Sequence, residues 1–393
     1  MQDHEPSERA PLASDAATAD LLQRFGFDRA RFERLRARMG AGEMSAEANR
    51  VRGELSLPGP GDIEKLPALG SAERQRLEQR GLEAITAGEV GAVVLAGGMA
   101  TRFGGVVKAG VEALPGQSFL ALKLAQLRAL AEGSGRVLPV YLMSSFATDA
   151  ALRQRVADLE DRGAIEGLSV EVFAQFISLR LTPEGELFID PDSGAPSPYA
   201  PGHGDLGYAL QRSGALTRFR EAGGRLLCMS NVDNLAATLD PALVGAHLDK
   251  AEAHGRELTV EVVARRPGEP GGAPARIDGV LQIVEDFRFP EGFDLDSIPY
   301  FNTNSFVIDA AALERERELT WFLVRKQVAG RAAIQFEHLV GELSASMGCG
   351  CIEVERDGGD GRFQPAKDPD ELALRRAQIE SILRSRGVLP SPR

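Results

Sequence analysis

The stretch Gly91-Ala-Val-Val-Leu-Ala-Gly-Gly-Met-Ala-Thr-Arg-Phe-Gly-Gly-Val-Val-Lys108 decides how the rest of the chain is read. Its apolar run, Ala92 to Ala96, has the unbroken hydrophobicity of a parallel strand buried on both faces. Gly97 and Gly98 end the run, and with Gly104 and Gly105 they bracket Thr101 and Arg102. A loop this poor in Cβ atoms lets backbone N–H groups approach an anion. Arg102 and Lys108 add positive charge, and an amphipathic segment from Gln117 to Leu130 supplies the next helix. Strand, loop, cations and helix together read as a phosphate cradle, with a plain tight turn as the competing reading. The spacing is neither a Walker A loop, since no Gly-Lys-Ser/Thr follows, nor Gly-x-Gly-x-x-Gly.

Composition bounds the answer. With 393 residues, 43% of them hydrophobic and 26% charged, the chain can bury a large core as one big domain with additions. The net charge of −12 argues against a nucleic-acid or anionic-membrane partner. No apolar run approaches membrane-spanning length and no signal-peptide pattern opens the sequence, so a cytoplasmic location is expected. Cys228, Cys349 and Cys351 make no disulfide framework, and Cys349-Gly-Cys351 lacks the second ligand pair of a zinc site.

Residues 1–18 are polar and rich in Ala, Pro and Ser, which predicts disorder. Asp28 caps a predicted helix with Phe32, Leu35 and Met39 on one face and Arg29, Arg31, Arg34, Arg36 and Arg38 around the others. Residues 57–62 form a Pro/Gly linker, and Ser71 with Glu73 opens a helix ending at Gly81 or Gly88. Residues 1–88 are thus expected to be an N-terminal helical extension. From Gly91 onward strands and helices alternate: strands over 137–143, 168–173, 225–229, 258–264 and 304–308, helices over 148–159 and 206–221. Such alternation predicts a doubly wound, mostly parallel α/β sheet, with ligands outside the carboxyl ends of the strands. The catalytic domain is expected over 89–355, and a C-terminal segment with a helix from Pro369 over 356–393.

Several short motifs follow those strands. Leu142-Met-Ser-Ser-Phe-Ala-Thr148 and Phe173-Ala-Gln175 offer Met143, which by itself reads as core, and the Gln175 amide. Pro201-Gly-His-Gly-Asp205 sets a histidine between two glycines before a helix, either an anion contact or a turn histidine. In Ser230-Asn-Val-Asp-Asn-Leu235, Asp233 suits Mg²⁺ or an Asx turn. The amides of Phe301-Asn-Thr-Asn304 suit sugar hydroxyls or, again, a turn. Lys367, in Arg362-Phe-Gln-Pro-Ala-Lys367, is either a phosphate contact or solvated surface.

The loop from Leu95 to Gly104 with Lys108 resembles the sugar-nucleotidyltransferase signature Leu-x-Gly-Gly-x-Gly-Thr-Arg-x-Gly followed by Pro-Lys, with Ala100 and Val107 as departures. Taken in order with Gln335-Phe-Glu337, the motifs resemble those of the UDP-glucose pyrophosphorylase family over about residues 90–370. The resemblance implies a Rossmann-like nucleotidyltransferase fold. It implies that a uridylyl group passes from UTP to a hexose 1-phosphate, most simply glucose 1-phosphate, giving a UDP-sugar and pyrophosphate with Mg²⁺ as cofactor.

Residue by residue, the resemblance puts Leu95, Ala96, Gly97, Gly98, Met143, Gln175 and Gly202 at the nucleotide, with His203 at its phosphates. Arg102, Lys108 and Lys367 become the catalytic cations and Asp233 the metal ligand. Asn234, Gly271, Gly272, Glu285, Asn302 and Asn304 face the sugar. Pro270 and Ser305 replace the family's usual Lys and Asn near that sugar. The family's C-terminal left-handed β-helix is not expected here, because the sequence stops at Arg393, so a monomer or weak oligomer is expected. The alternatives are a pyrophosphorylase for UDP-N-acetylglucosamine or for several UDP-sugars, and a non-catalytic sugar-nucleotide-binding protein.

Overall fold

The computed structural model describes residues 16–390. Most of the expected disordered segment therefore lies outside the described residues. Its last part is corrected: Ala16 opens a helix, Ala16–Arg24, that buries Leu22.

Eight strands make one sheet, labelled here in chain order: β1 (Ile63–Lys65), β2 (Val90–Leu95), β3 (Leu138–Ser144), β4 (Leu168–Ala174), β5 (Leu226–Asn231), β6 (Leu258–Ala264), β7 (Tyr300–Asp309) and β8 (Cys349–Glu353). Their order in space is β1-β8-β6-β7-β5-β2-β3-β4. All neighbours are parallel except the two pairs that β7 makes, with β6 and with β5. The doubly wound, mostly parallel α/β class is the one the sequence predicts. β2 is apolar throughout because both its faces are covered: Val90, Ala92 and Val94 join one core, and Val93 the other.

Helices cover the sheet. Ser118 caps Phe119–Ser134, accepting from Ala121 N at 3.2 Å, and Ser71 caps Ala72–Thr86. The latter helix runs on past Gly81 because that glycine is a packing site: a Cβ there would lie 1.8 Å from Pro241 O, and one on Gly245 would lie 2.1 Å from Leu77 O. Helices Ala72–Thr86 and Pro241–His254 thus touch backbone to backbone. The single helix expected over 206–221 is corrected to two, Leu206–Arg212 and Ala215–Glu221, broken where Gly214 turns left-handed at φ +73°.

The N-terminal segment is more than helical. Leu55–Ser56 pairs with Ala273–Ile277, and β1 extends the main sheet beside β8. Asp28 does cap its helix, accepting from Arg31 N at 2.8 Å. The C-terminal helix, Pro369–Ser385, is capped by Asp368. Among the described residues no helix is long and apolar enough to cross a membrane.

Candidate active site

Because β7 runs against its neighbours, its first residues reach the same sheet edge as the carboxyl ends of β2, β3, β4 and β5. That edge gathers nearly every residue singled out in the sequence.

The glycine loop is pinned at its start. Ala96 N–H donates to Met143 O at 2.9 Å and Val232 N–H to Leu95 O at 3.2 Å. A Cβ on Gly97 would fall 2.8 Å from Gln175 Nε2 and 2.9 Å from the Ser144 carbonyl carbon, so only glycine fits beneath that amide. Ser145 Oγ donates to Gly97 O at 2.8 Å. Gly98 is open to space, and Met99–Ala100 pairs with Val106–Val107 in a small hairpin. The departure at Ala100 is absorbed because its methyl group is buried in the core. Arg102 is exposed and forms no ion pair among the described residues.

Gln175 stands over this loop, 7% exposed, with its Oε1 unpartnered among the described residues. A buried amide oxygen with no partner is an acceptor waiting for a donor. Met143 lies beneath, in the core beside Val93 and Phe173, as its apolar character by itself suggests.

Lys108 and Asp233 meet: Nζ to Oδ2 is 2.6 Å, in a partly buried pair. No turn N–H reaches the Asp233 carboxylate among the described residues, so it does not close an Asx turn. The loop behind it is held from the interior. Lys123 Nζ donates to Asn234 O at 2.8 Å and also to Ala237 O, and Gln126 Nε2 donates to Leu235 O at 3.0 Å. Burial strips Lys123 of water, and nearby Arg386 adds repulsion; together they bring its pKa down to about 7.

The expectation that Asn234 faces a sugar is corrected. It is 1% exposed, and its amide donates to Arg362 O at 3.0 Å and accepts from Gln364 N at 2.9 Å. It therefore braces the C-terminal segment. That segment in turn sends Ala366 N–H to Asp233 O at 3.3 Å, which brings Lys367 to the rim beside Asp233. Lys367 is exposed and its side chain has no ion pair among the described residues.

The Pro201–Asp205 loop interlocks with residues 338–340. Gly202, at φ +109°, and Gly204 would each place a Cβ 2.6 Å from the His338 backbone. His203 Nδ1 accepts Val340 N–H at 3.0 Å, which leaves the ring proton on Nε2. Burial, and then the neighbouring His338, push its pKa down to about 4. At neutral pH His203 thus offers an N–H and no charge.

At the other end of the edge, Asn302 N–H donates to Gly272 O at 2.9 Å, and Asn302 Oδ1 accepts from Asn304 N at 3.0 Å. A bulge against β6 and a left-handed Asn304, φ +56°, turn that side chain to Asn231 Oδ1 at 3.1 Å. The Glu285 carboxyl lies about 3.1 Å from where a Gly272 Cβ would be, and Gly271 precedes it at φ +144°. Burial first, then Asp286 and Glu342, raise the Glu285 pKa to about 7. Where the family's lysine is replaced by Pro270, the Arg265 guanidinium donates to Gly271 O at 3.3 Å and covers Phe301.

Sequence reading gave no role to Lys123 and Gln126, nor to Ser145 and Arg362, which stand inside quoted motifs. Lys123 and Gln126 carried a signal, as the only polar side chains in the run Phe119-Leu-Ala-Leu-Lys-Leu-Ala-Gln-Leu127. Arg362 opens the motif that ends at Lys367, but no local spacing points to its partner Glu261, at 2.6 and 2.8 Å and 101 residues away in sequence.

The family model for UTP--glucose-1-phosphate uridylyltransferase matches residues 59–387. The chain belongs to that family. One member, from Encephalitozoon cuniculi, is 28% identical over 292 residues, covering 71% of this chain and 56% of the relative. The chain spans less than two thirds of the length of the curated family relatives it matches. The family fold is seen in two solved Trypanosoma brucei structures. A uridine diphosphate N-acetylglucosamine pyrophosphorylase superposes with TM-score 0.72 at 20% identity, covering 94% of this chain and 79% of that one. A UDP-glucose phosphorylase superposes with TM-score 0.70 at 21% identity, covering 91% and 77%.

Proposed function

We propose that this chain is a uridylyltransferase that joins UTP and a hexose 1-phosphate, glucose 1-phosphate first among them, into a UDP-sugar and pyrophosphate. The observation that carries the reading is the convergence on one sheet edge of an unpartnered, buried Gln175 amide, the glycine loop and the Lys108–Asp233 pair. Family membership and this edge both favour it.

The chemistry is an in-line displacement. A phosphate oxygen of the sugar phosphate attacks the α-phosphorus of UTP; that bond forms as the bond from α-phosphorus to the β-bridging oxygen breaks, and pyrophosphate leaves with the electron pair. The attacking oxygen is already anionic, so no general base is required. The barrier lies in bringing two polyanions together, and the residues that lower it orient and neutralise. Gln175 pairs with the uracil edge over Gly97, and Leu95, Ala96 and Gly98 bring backbone against the nucleotide. Arg102, Lys108 and Lys367 supply charge to the phosphates, and Gly202 and His203 supply N–H donors. Glu285, Asn302 and Asn304, with Gly271 and Gly272, surround the hexose.

Asp233 fits Mg²⁺. Among the described residues no three carboxylate, His or Cys side chains cluster, and a lone carboxylate suits an ion whose other ligands are phosphate oxygens and water. When bound, such an ion would neutralise charge on the triphosphate. We assign the chemistry to residues 89–355, with the 356–393 segment lending Lys367.

The test is a panel of sugar 1-phosphates with UTP and Mg²⁺, read by pyrophosphate release. Glucose 1-phosphate is expected to lead. Preference for N-acetylglucosamine 1-phosphate would move the assignment to that sugar, and no release with any member would leave a binding protein.

A further inference from the structure

Behind the candidate base site lies a buried pair that the sequence motifs do not assign. Asp205 is fully buried and both its oxygens are committed: Oδ1 meets His338 Nε2 at 2.6 Å and Oδ2 accepts Phe176 N–H at 2.9 Å. Phe176 is the residue after Gln175, whose own N–H donates to Ser144 O at 3.0 Å. The turn presenting the Gln175 amide is therefore held on both sides, by β3 and by Asp205.

The His338 ring is held in turn. Trp321 stacks on it at 4.1 Å and 14°, Tyr208 lies near-parallel at 6.4 Å, and the Arg31 guanidinium covers both those rings. Its backbone zips to the Pro201 loop through His338 N–H to Pro201 O and Gly204 N–H to His338 O, both at 3.0 Å. Among the described residues its Nδ1 is buried without a partner, and Asp205 is the single polar anchor of the imidazole. An apolar residue would fill this slot without orphaning a nitrogen; what the imidazole adds is one aimed donor to Asp205.

We propose that His338 is a positioning residue for base recognition: by holding Asp205 it fixes the Phe176 N–H, and so the turn that sets the Gln175 amide over Gly97. This rests on the reading of Gln175 as the uracil partner.

The test compares wild type, His338→Leu and His338→Gln. Leucine fills the space but cannot donate, whereas the glutamine amide nitrogen reaches about as far as Nε2. Calorimetric titration with UTP and with CTP, without sugar phosphate, reads binding free of turnover, and far-ultraviolet circular dichroism with a thermal melt checks the fold, since Trp321 stacks on the substituted ring and its emission would change with it.

Leucine is expected to weaken UTP binding about tenfold and to shrink the UTP-over-CTP preference by a similar factor, the scale of one misplaced hydrogen-bonding group. KM for the sugar phosphate should stay within about twofold, and glutamine should restore most of the preference. An unchanged UTP-over-CTP preference in His338→Leu, or equal loss toward both nucleotides without rescue by glutamine, overturns the positioning role while leaving the activity reading intact. A wild type that binds UTP no better than CTP removes the base-reading premise and overturns both.

Discussion

Lys108 Nζ sits 2.6 Å from Asp233 Oδ2, with side-chain exposures of 20% and 12%. The ammonium thus occupies the carboxylate that suits a metal ion. A cation arriving alone must displace Lys108 into an unpaired state, whereas one arriving with a triphosphate gives the ammonium a new anionic partner. Lys108→Ala is expected to bind Mn²⁺ without nucleotide more tightly than wild type, measured by electron paramagnetic resonance. The same variant should lose roughly a hundredfold in kcat/KM, the scale of one preorganised electrostatic contact. Equal Mn²⁺ affinities would rule out the competition.

Asp233→Asn keeps the shape of the side chain and removes its charge. Metal-dependent turnover is expected to vanish while thermal stability holds, because Lys123 and Gln126 brace the loop through its backbone carbonyls and the Asn234 amide ties it to Arg362 O, none of them through this carboxylate. Initial rates across a Mg²⁺ titration decide it; full activity would leave Asp233 without a metal role.

Gln175→Ala removes the one buried amide with an open acceptor over the glycine loop. A site that pairs with the uracil edge leaves like groups facing each other when cytosine enters, at about 1–3 kcal/mol per unsatisfied group. The variant should use UTP poorly and narrow the UTP/CTP ratio of kcat/KM, with the sugar phosphate KM nearly unchanged. An unaltered ratio would mean that Gln175 does not read the base.

Acid should destabilise the fold through His247. Its ring is buried, Nδ1 lies 2.9 Å from Thr259 Oγ1, and Nε2 has no partner among the described residues. Burial first, then Arg256 and Arg225, push its pKa from 6.5 down to about 4. The folded state therefore holds fewer protons than the unfolded one. The resulting stability is fully present above pH 6.5 and drains away between 6.5 and about 4, amounting to up to about 3 kcal/mol. Melting temperature should fall across that window. His247→Gln should flatten the fall without abolishing it, because His203 is shifted the same way.

By itself the sequence determined the class of fold and the edge where chemistry gathers. A short apolar run such as Ala92–Ala96, closed by glycines, reads as a strand covered on both faces, and glycines directly after a strand announce a close approach of backbone, as Gly97 under Gln175 bears out. Capping by Asp28 and Ser71 was legible for the same reason: it is local, set within one helical turn.

What the tertiary structure alone decided joins residues far apart in the chain. Lys108 and Asp233 pair across 125 residues, and Arg362 and Glu261 across 101. Asn234 turned from an expected sugar contact into a brace because Arg362 and Gln364 arrive on either side of its amide, and Asp205 reached the Gln175 turn only through the packing of residues 338–340 against the Pro201 loop. Local spacing fixes periodicity and caps; which buried polar group meets which partner depends on how strands stack in space, and a linear sequence carries no period for that.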